Sequence, residues 1–154
     1  MAFKDEEHEM FMEWACGDKN AVAFLHRLFE ASQIADDFTD DDAVNKPETM
    51  SRLLHLLLVT IPTNPFYIAN QAWLLPVMVT GLQQWCASNE WAESEDENVQ
   101  MFGYVYRESL EQVIGIVALL CGGDEHARSV VSDVNKFYHS KYKEDFKNWS
   151  KENG

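Results

Sequence analysis

This sequence predicts an all-α fold, a single-domain bundle of five to six helices with a kinked fourth helix, and three observations carry that prediction. Apolar residues recur three and four apart through most of the chain, the spacing of one helix face. Only 7 Gly and 4 Pro occur, too few for a turn-rich β architecture. Helix punctuation divides the chain at Gly17-Asp18, Pro47, Ile61-Pro62-Thr63-Asn64-Pro65 and Gly122-Gly123. At 154 residues the chain suits one acidic helical domain, 1–154, around one core.

A first helix is expected over 4–16, with Phe11, Met12 and Ala15 as its apolar side and Gly17 as its stop. Asp18 is a good N-cap for a second helix over 19–40, in which Phe24, Leu25, Leu28, Phe29, Ala31, Ala35 and Phe38 keep helical spacing. Residues 44–46 break the pattern, and Pro47 sits in the first turn of a third helix over 48–60, where its missing N–H costs little. That helix is apolar almost all round (Leu53, Leu54, Leu56, Leu57, Leu58, Val59), which predicts a central, buried position. The two prolines of 61–65 make a firm loop. A fourth helix over 66–88 contains Pro76, which predicts a kink or a split there.

Residues 88–98 form a polar acidic connection. A fifth helix is expected over 99–121, with Phe102, Tyr106, Leu110, Val113, Val117 and Leu120 on one face. Val113–Leu120 is β-branched enough for a strand, but its neighbours fit a helix better. Gly122-Gly123 closes it, and a sixth helix follows over 124–148. The second, third and fifth helices are expected to form the core.

Net charge is −14 and is uneven: residues 1–123 hold 20 of the 26 acidic side chains and 6 of the 12 basic ones. Such a chain opposes binding to nucleic acid or anionic membrane and favours cations or basic partners. No apolar run approaches the ~20 residues of a membrane span. Cys16, Cys86 and Cys121 are far apart, without a CxxC, and read as small buried residues of a reducing compartment. With an acidic N-terminus in place of a signal peptide, a cytoplasmic setting is expected.

Five aspartates, Asp36, Asp37, Asp40, Asp41 and Asp42, fall within seven residues at the end of the second helix. Carboxylates three and four apart on a helix repel, and a divalent cation turns that repulsion into coordination. Leu25, Phe29, Ser32 and Asp36 follow one line at helical spacing, so Asp36 points toward the core side. Asp36, Asp37 and Asp40 are therefore candidate Mg2+ ligands, and the bland alternative is a solvated helix end. One helix rarely completes a hard-cation site. Glu108 or Glu111 on the fifth helix, or Glu30, is expected to complete it, with Glu108 and Glu111 as the catalytic acids and Arg107 facing a phosphate. The ordinary reading of Arg107 and Glu111 is a surface ion pair at i,i+4. Asn64, Tyr67 and Asn70, in the polar-aromatic stretch with Trp73, are candidate substrate contacts, or simply a packed helix start. His26 and His55 sit on helices, and His55 reads as a hydrogen-bonded core histidine. No histidine pair has zinc or di-iron spacing, and no nucleophile motif occurs.

Asp36-Asp37-Phe38-Thr39-Asp40 resembles the DDxxD motif of isoprenoid synthases, all-helical enzymes that bind a Mg2+–diphosphate through such aspartates. The resemblance covers this stretch only. Ser132-Asp133-Val134-Asn135 is at best a faint echo of their second metal motif, so it implies a metal–phosphate helix rather than prenyl transfer. Glu6/Glu9 and Asp37/Asp40 are similar in spacing to the acidic pairs of MazG-type nucleotide pyrophosphatases, although the second pair has Asp where that family has Glu first. Ile34-Ala35-Asp36-Asp37-Phe38-Thr39-Asp40, Ile61–Tyr67, Trp85, Arg107-Glu108-Ser109 and Gly122-Gly123 resemble small uncharacterised proteins of tailed bacteriophages. That resemblance implies host cytoplasm and no particular activity.

Two functions are expected from these residues. One is a Mg2+-dependent protein acting on or binding a phosphorylated small molecule. The other is a non-catalytic acidic protein, an inhibitor or nucleic-acid mimic, that covers a basic surface of a host factor. The first needs acids converging in a cleft, the second acids spread over an exposed face. The aromatic C-terminal helix, with Tyr138, Tyr142, Phe146 and Trp149, is a candidate oligomer face, or core.

Overall fold

Helix α1, Ala2–Trp14, ends in a turn that sets the start of the next helix. Cys16 takes the left-handed position after it (φ 52°), followed by Gly17 (φ 77°). The Gly17 amide returns to the Met12 carbonyl at 2.8 Å and the Cys16 amide to Glu13 at 3.1 Å, the bond pair of a Schellman cap. Asp18 then caps α2, Lys19–Thr39, by accepting from the Asn20 and Ala21 amides, both at 3.0 Å. The computed structural model describes residues 2–141 and 144–153, and the chain falls into two compact units, Met1–Ala72 and Trp73–Gly154.

In the first unit α1 lies on α2, with the Phe11 ring 5.7 Å from Phe29 and 4.8 Å from His26. Phe11, Trp14, Phe24 and Leu25 are among the large buried side chains there. Helix α3, Lys46–His55, has Pro47 in its first turn as expected, but it holds no buried residue. It runs into one π-helical turn, Leu56–Thr60, closed by the Ile61 amide on the Leu56 carbonyl at 3.0 Å. Only Leu56 of that turn is buried, while Leu54, Leu57, Leu58 and Val59 are exposed. The expectation of a central, buried third helix is therefore corrected. An all-apolar run fixes no face, and here the packed side carries one leucine.

Helix α4, Pro65–Trp91, begins in the first unit. Phe66 and Tyr67 close over Phe24 at ring distances of 6.2 and 5.8 Å. The helix breaks, but at Asn70 (φ −123°, ψ 18°) rather than at Pro76, which lies further inside it. The Asn70 side-chain amide donates to the Phe66 carbonyl at 3.0 Å, an alternative to the helical ladder that short polar side chains offer.

In the second unit the expected fifth and sixth helices are each divided, so among the described residues eight α-helices stand where five to six were predicted. The fifth becomes α5, Glu97–Tyr106, a 3-10 turn, Ser109–Glu111, and α6, Gln112–Gly122. The Ser109 hydroxyl donates to the Tyr106 carbonyl at the division and competes with the ladder. The sixth becomes α7, Asp124–Lys136, a π turn, Phe137–Lys141, and α8, Phe146–Asn153. The Asn148 amide donates to Asp145 at 2.8 Å, at the start of α8.

Val113, Ile114, Val117 and Ala118 of α6 pack on Ala127, Val130 and Val134 of α7 to make the core of this unit. Gln100, buried on α5, donates to the carbonyls of Ala92 at 3.2 Å and Ser150 at 3.3 Å, which ties α5 to the end of α4 and to α8. Gly103 lets the α5 backbone touch the α4 terminus: a Cβ there would lie 2.9 Å from the Ala92 nitrogen. Among the described residues all regular structure is helical, and no helix is long and apolar enough to cross a membrane. The cysteines depart from expectation. Cys16 and Cys86 are exposed and Cys121 is half-buried, because Cys16 occupies a turn and Cys86 an outward position of α4.

Candidate functional site

The aspartate cluster is, first, the end of a helix. The Asp42 amide returns to the Asp37 carbonyl at 2.7 Å and the Asp41 amide to Phe38 at 3.3 Å, with Asp41 left-handed (φ 58°). This is again a Schellman cap, with aspartate where glycine is usual; aspartate is one of the few side chains that tolerates that conformation. The same turn fixes the carboxylates. Asp36 and Asp37 are half-buried, and Asp40, Asp41 and Asp42 are exposed. Asp37 accepts from the Gln33 amide at 2.9 Å, and Asp41 pairs with Lys46 at 2.8 Å. Among the described residues no three His, Cys, Asp or Glu side chains gather where a metal ion would be held.

Glu30 is committed elsewhere. Its two oxygens accept from Arg52 Nε and Nη2 at 2.8 and 2.9 Å, and Arg27 Nη1 joins at 2.8 Å. This clamp fastens α3 to α2 and holds the Glu30 carboxyl below its usual range, chiefly through the hydrogen bonds from Arg52.

Arg107, Glu108 and Glu111 lie in the second unit, at the division between α5 and α6. Because the helix ends there, Arg107 and Glu111 do not keep i,i+4 geometry. The Arg107 guanidinium carbon stands 5.1 Å from the Tyr104 ring centre and 5.2 Å from that of Trp149, and Nη1 is 3.7 Å from Glu144. A phosphate at Arg107 would compete with this carboxylate of the same chain. Glu111 is 6% exposed and takes a 2.9 Å contact from His139 Nε2, joining the 3-10 turn to the π turn after α7. Glu108 is half-buried. Burial holds the Tyr104 phenol above its usual pKa, with Arg107 opposing, and its hydroxyl donates to the Glu144 carbonyl.

Asn64, Tyr67 and Asn70 have local duties. The Asn64 side chain accepts from the Tyr67 amide at 3.0 Å as the cap of α4, and its own amide donates to the Asn20 carbonyl at 3.0 Å. Tyr67 is buried against Phe24. Trp149 is buried and its ring lies 5.4 Å from Tyr104 and 6.2 Å from Phe146; Tyr142 lies outside the described residues.

A histidine pair emerges between α1 and α2. His8 Nδ1 and His26 Nε2 are 2.8 Å apart, so one ring donates and the other must keep a lone pair. His55, by contrast, is exposed and meets the Thr60 hydroxyl at 3.1 Å. Burial, then the charges of His8 and Arg27, hold the His26 pKa below its ordinary 6.5. The unfolded chain therefore takes up the proton first as pH falls, and stability present above pH 6.5 is lost as the pH drops from there through the lower folded value. Urea melts at about pH 7.5 and 5.5 should show a lower midpoint at the acid value. His26→Gln should shrink the difference, and an equal difference in that variant would remove His26 as its source.

The His139–Glu111 pair had no sequence signal, since its members are 28 residues apart. The packing of Arg107 on Trp149 was equally hidden, while the exposed leucines looked like core. Comparison with known proteins gave no match to a family model, to a curated protein or to a solved structure.

Proposed function

We propose that this chain is a non-catalytic interaction protein whose acidic surface covers a basic surface of a partner, a host factor if the chain is phage-encoded. The carrying observation is the dispersion of its carboxylates. Asp40, Asp41, Asp42 and Glu48 in the first unit, and Glu93, Glu95, Asp96 and Glu97 in the second, are all exposed. Spread carboxylates with a net charge of −14 attract a basic protein at long range and repel nucleic acid. Of the residues named for Mg2+–phosphate chemistry, Asp36, Asp37 and Glu108 are half-buried, Asp40 is exposed, and Glu30, Glu111 and Arg107 are held by Arg52, His139 and Glu144.

The test is capture from a bacterial lysate on the immobilised chain at about 50 mM and about 500 mM salt. A basic protein should be retained at low salt and released at high salt, and Asp40→Asn, Asp41→Asn, Asp42→Asn together should reduce retention. The opposite result is no salt-sensitive partner, together with a melting temperature raised by Mg2+ at matched ionic strength and insensitive to Mg2+ in Asp36→Asn. That outcome would replace this reading with the metal–phosphate one.

A further inference from the structure

We infer that α4 carries a self-association seam, and that a second copy of this chain covers it. Leu75, Val79, Leu82 and Cys86 stand four, three and four residues apart on the part of α4 that belongs to the second unit. That spacing places all four on one narrow stripe, the a/d pattern of a two-helix seam. All four are exposed, Leu75 at 42%, Val79 at 46% and Leu82 at 53%. The same helix buries a separate line through Leu74, Gly81 and Ser88, seven apart, so the exposed stripe is a second apolar face and not a misplaced core face.

Charge selects the occupant. Residues 53–89 contain no Asp, Glu, Lys or Arg, in a chain of net charge −14. A basic partner would be read by carboxylates, and this stripe has none. A second copy is repelled over most of its surface and can approach closely where charge is missing. Cores of protein interfaces show the same depletion of charge. A stripe with heptad spacing is also complementary to itself under a two-fold axis, the commonest symmetry of homo-oligomers.

Area agrees. The four side chains expose on the order of 300 Å² of mostly apolar surface, so two facing copies would bury up to about 600 Å² of it. That is the apolar centre of a contact whose polar rim must bring the total past roughly 1,000 Å². Such a contact gives a dimer that forms at micromolar concentration and above, and one that tightens as salt screens the acidic bodies.

Sedimentation velocity from about 5 to 300 µM, at about 150 and 500 mM salt, tests this on the intact chain. The wild type should pass from monomer to dimer across that range, at lower concentration in the higher salt. Val79→Glu with Leu82→Glu puts charges into the seam and should raise the dissociation constant about 100-fold, since a charge is costly to desolvate without a partner. Val105→Glu, at an exposed position of α5, should leave the dimer unchanged. Far-ultraviolet circular dichroism verifies folding, and Leu82→Gln is the milder variant if the double one unfolds. In a chain with Cys16→Ser and Cys121→Ser, maleimide should alkylate Cys86 more slowly as the dimer fraction rises. A monomer throughout the range overturns the inference. So does a dimer that survives the seam variants, or a Cys86 rate independent of concentration.

Discussion

Replacing Gly103 with valine is expected to destabilise the second unit by about 3 kcal/mol, and even alanine should destabilise it. The alanine result is the informative one. In a helix interior Gly→Ala ordinarily stabilises by about 1 kcal/mol, because alanine loses less backbone freedom on folding. At Gly103 the new Cβ would sit 2.9 Å from the Ala92 nitrogen and 3.2 Å from the Ser88 carbonyl oxygen. Both are backbone atoms, so no rotamer change relieves the clash and α5 must move off α4. The neighbouring bond from Gln100 to the Ala92 carbonyl would stretch with it. Urea denaturation of wild type, Gly103→Ala and Gly103→Val measures the order. A more stable alanine variant would show that the helices stand further apart than this.

The second large effect separates leucines that look alike in sequence. Leu56→Ala should cost about 3 kcal/mol, whereas Leu58→Ala should change stability by less than about 0.5 kcal/mol. Leu56 is fully buried and Leu58 is 72% exposed, two residues further along the same π turn. Truncating the first leaves a cavity in the first unit, and truncating the second leaves water where water already was. Equal losses at both positions, measured by thermal melting, would mean that a partner or another copy buries Leu58 in solution.

Local chemistry made the helix ends legible in the sequence, while the choice of buried face was not. Gly17-Asp18 marked the passage from α1 to α2 because capping depends only on neighbours, and the structure adds that Cys16, not Gly17, takes the first left-handed position. The divisions at Ser109 and at Phe137 were invisible, since periodicity continues across a turn that a single hydroxyl or a π turn introduces. The third helix failed for a different reason. Six apolar residues in seven positions cannot say which one faces inward. The aspartates drew notice for their mutual repulsion, and what the backbone explains is one of them, Asp41, as the left-handed residue of a cap. Tyr104 lies within a helical turn of Arg107, but the other partners, Trp149 and Glu144 of Arg107 and His139 of Glu111, come from residues 28 and more positions away, beyond the reach of any local pattern.

The charge-free stretch has a colloidal consequence as well. Near neutral pH the carboxylates limit copies to the one charge-free contact on α4, and the exposed leucines outside it, Leu54, Leu57 and Leu58, are tolerated because few collisions bring them together. The isoelectric point is about 4.6, so mild acid removes that protection without touching the leucines. Solubility in this chain is thus a property lent by one part of the surface to another, and it should fail by precipitation at acid pH before the helices themselves unravel.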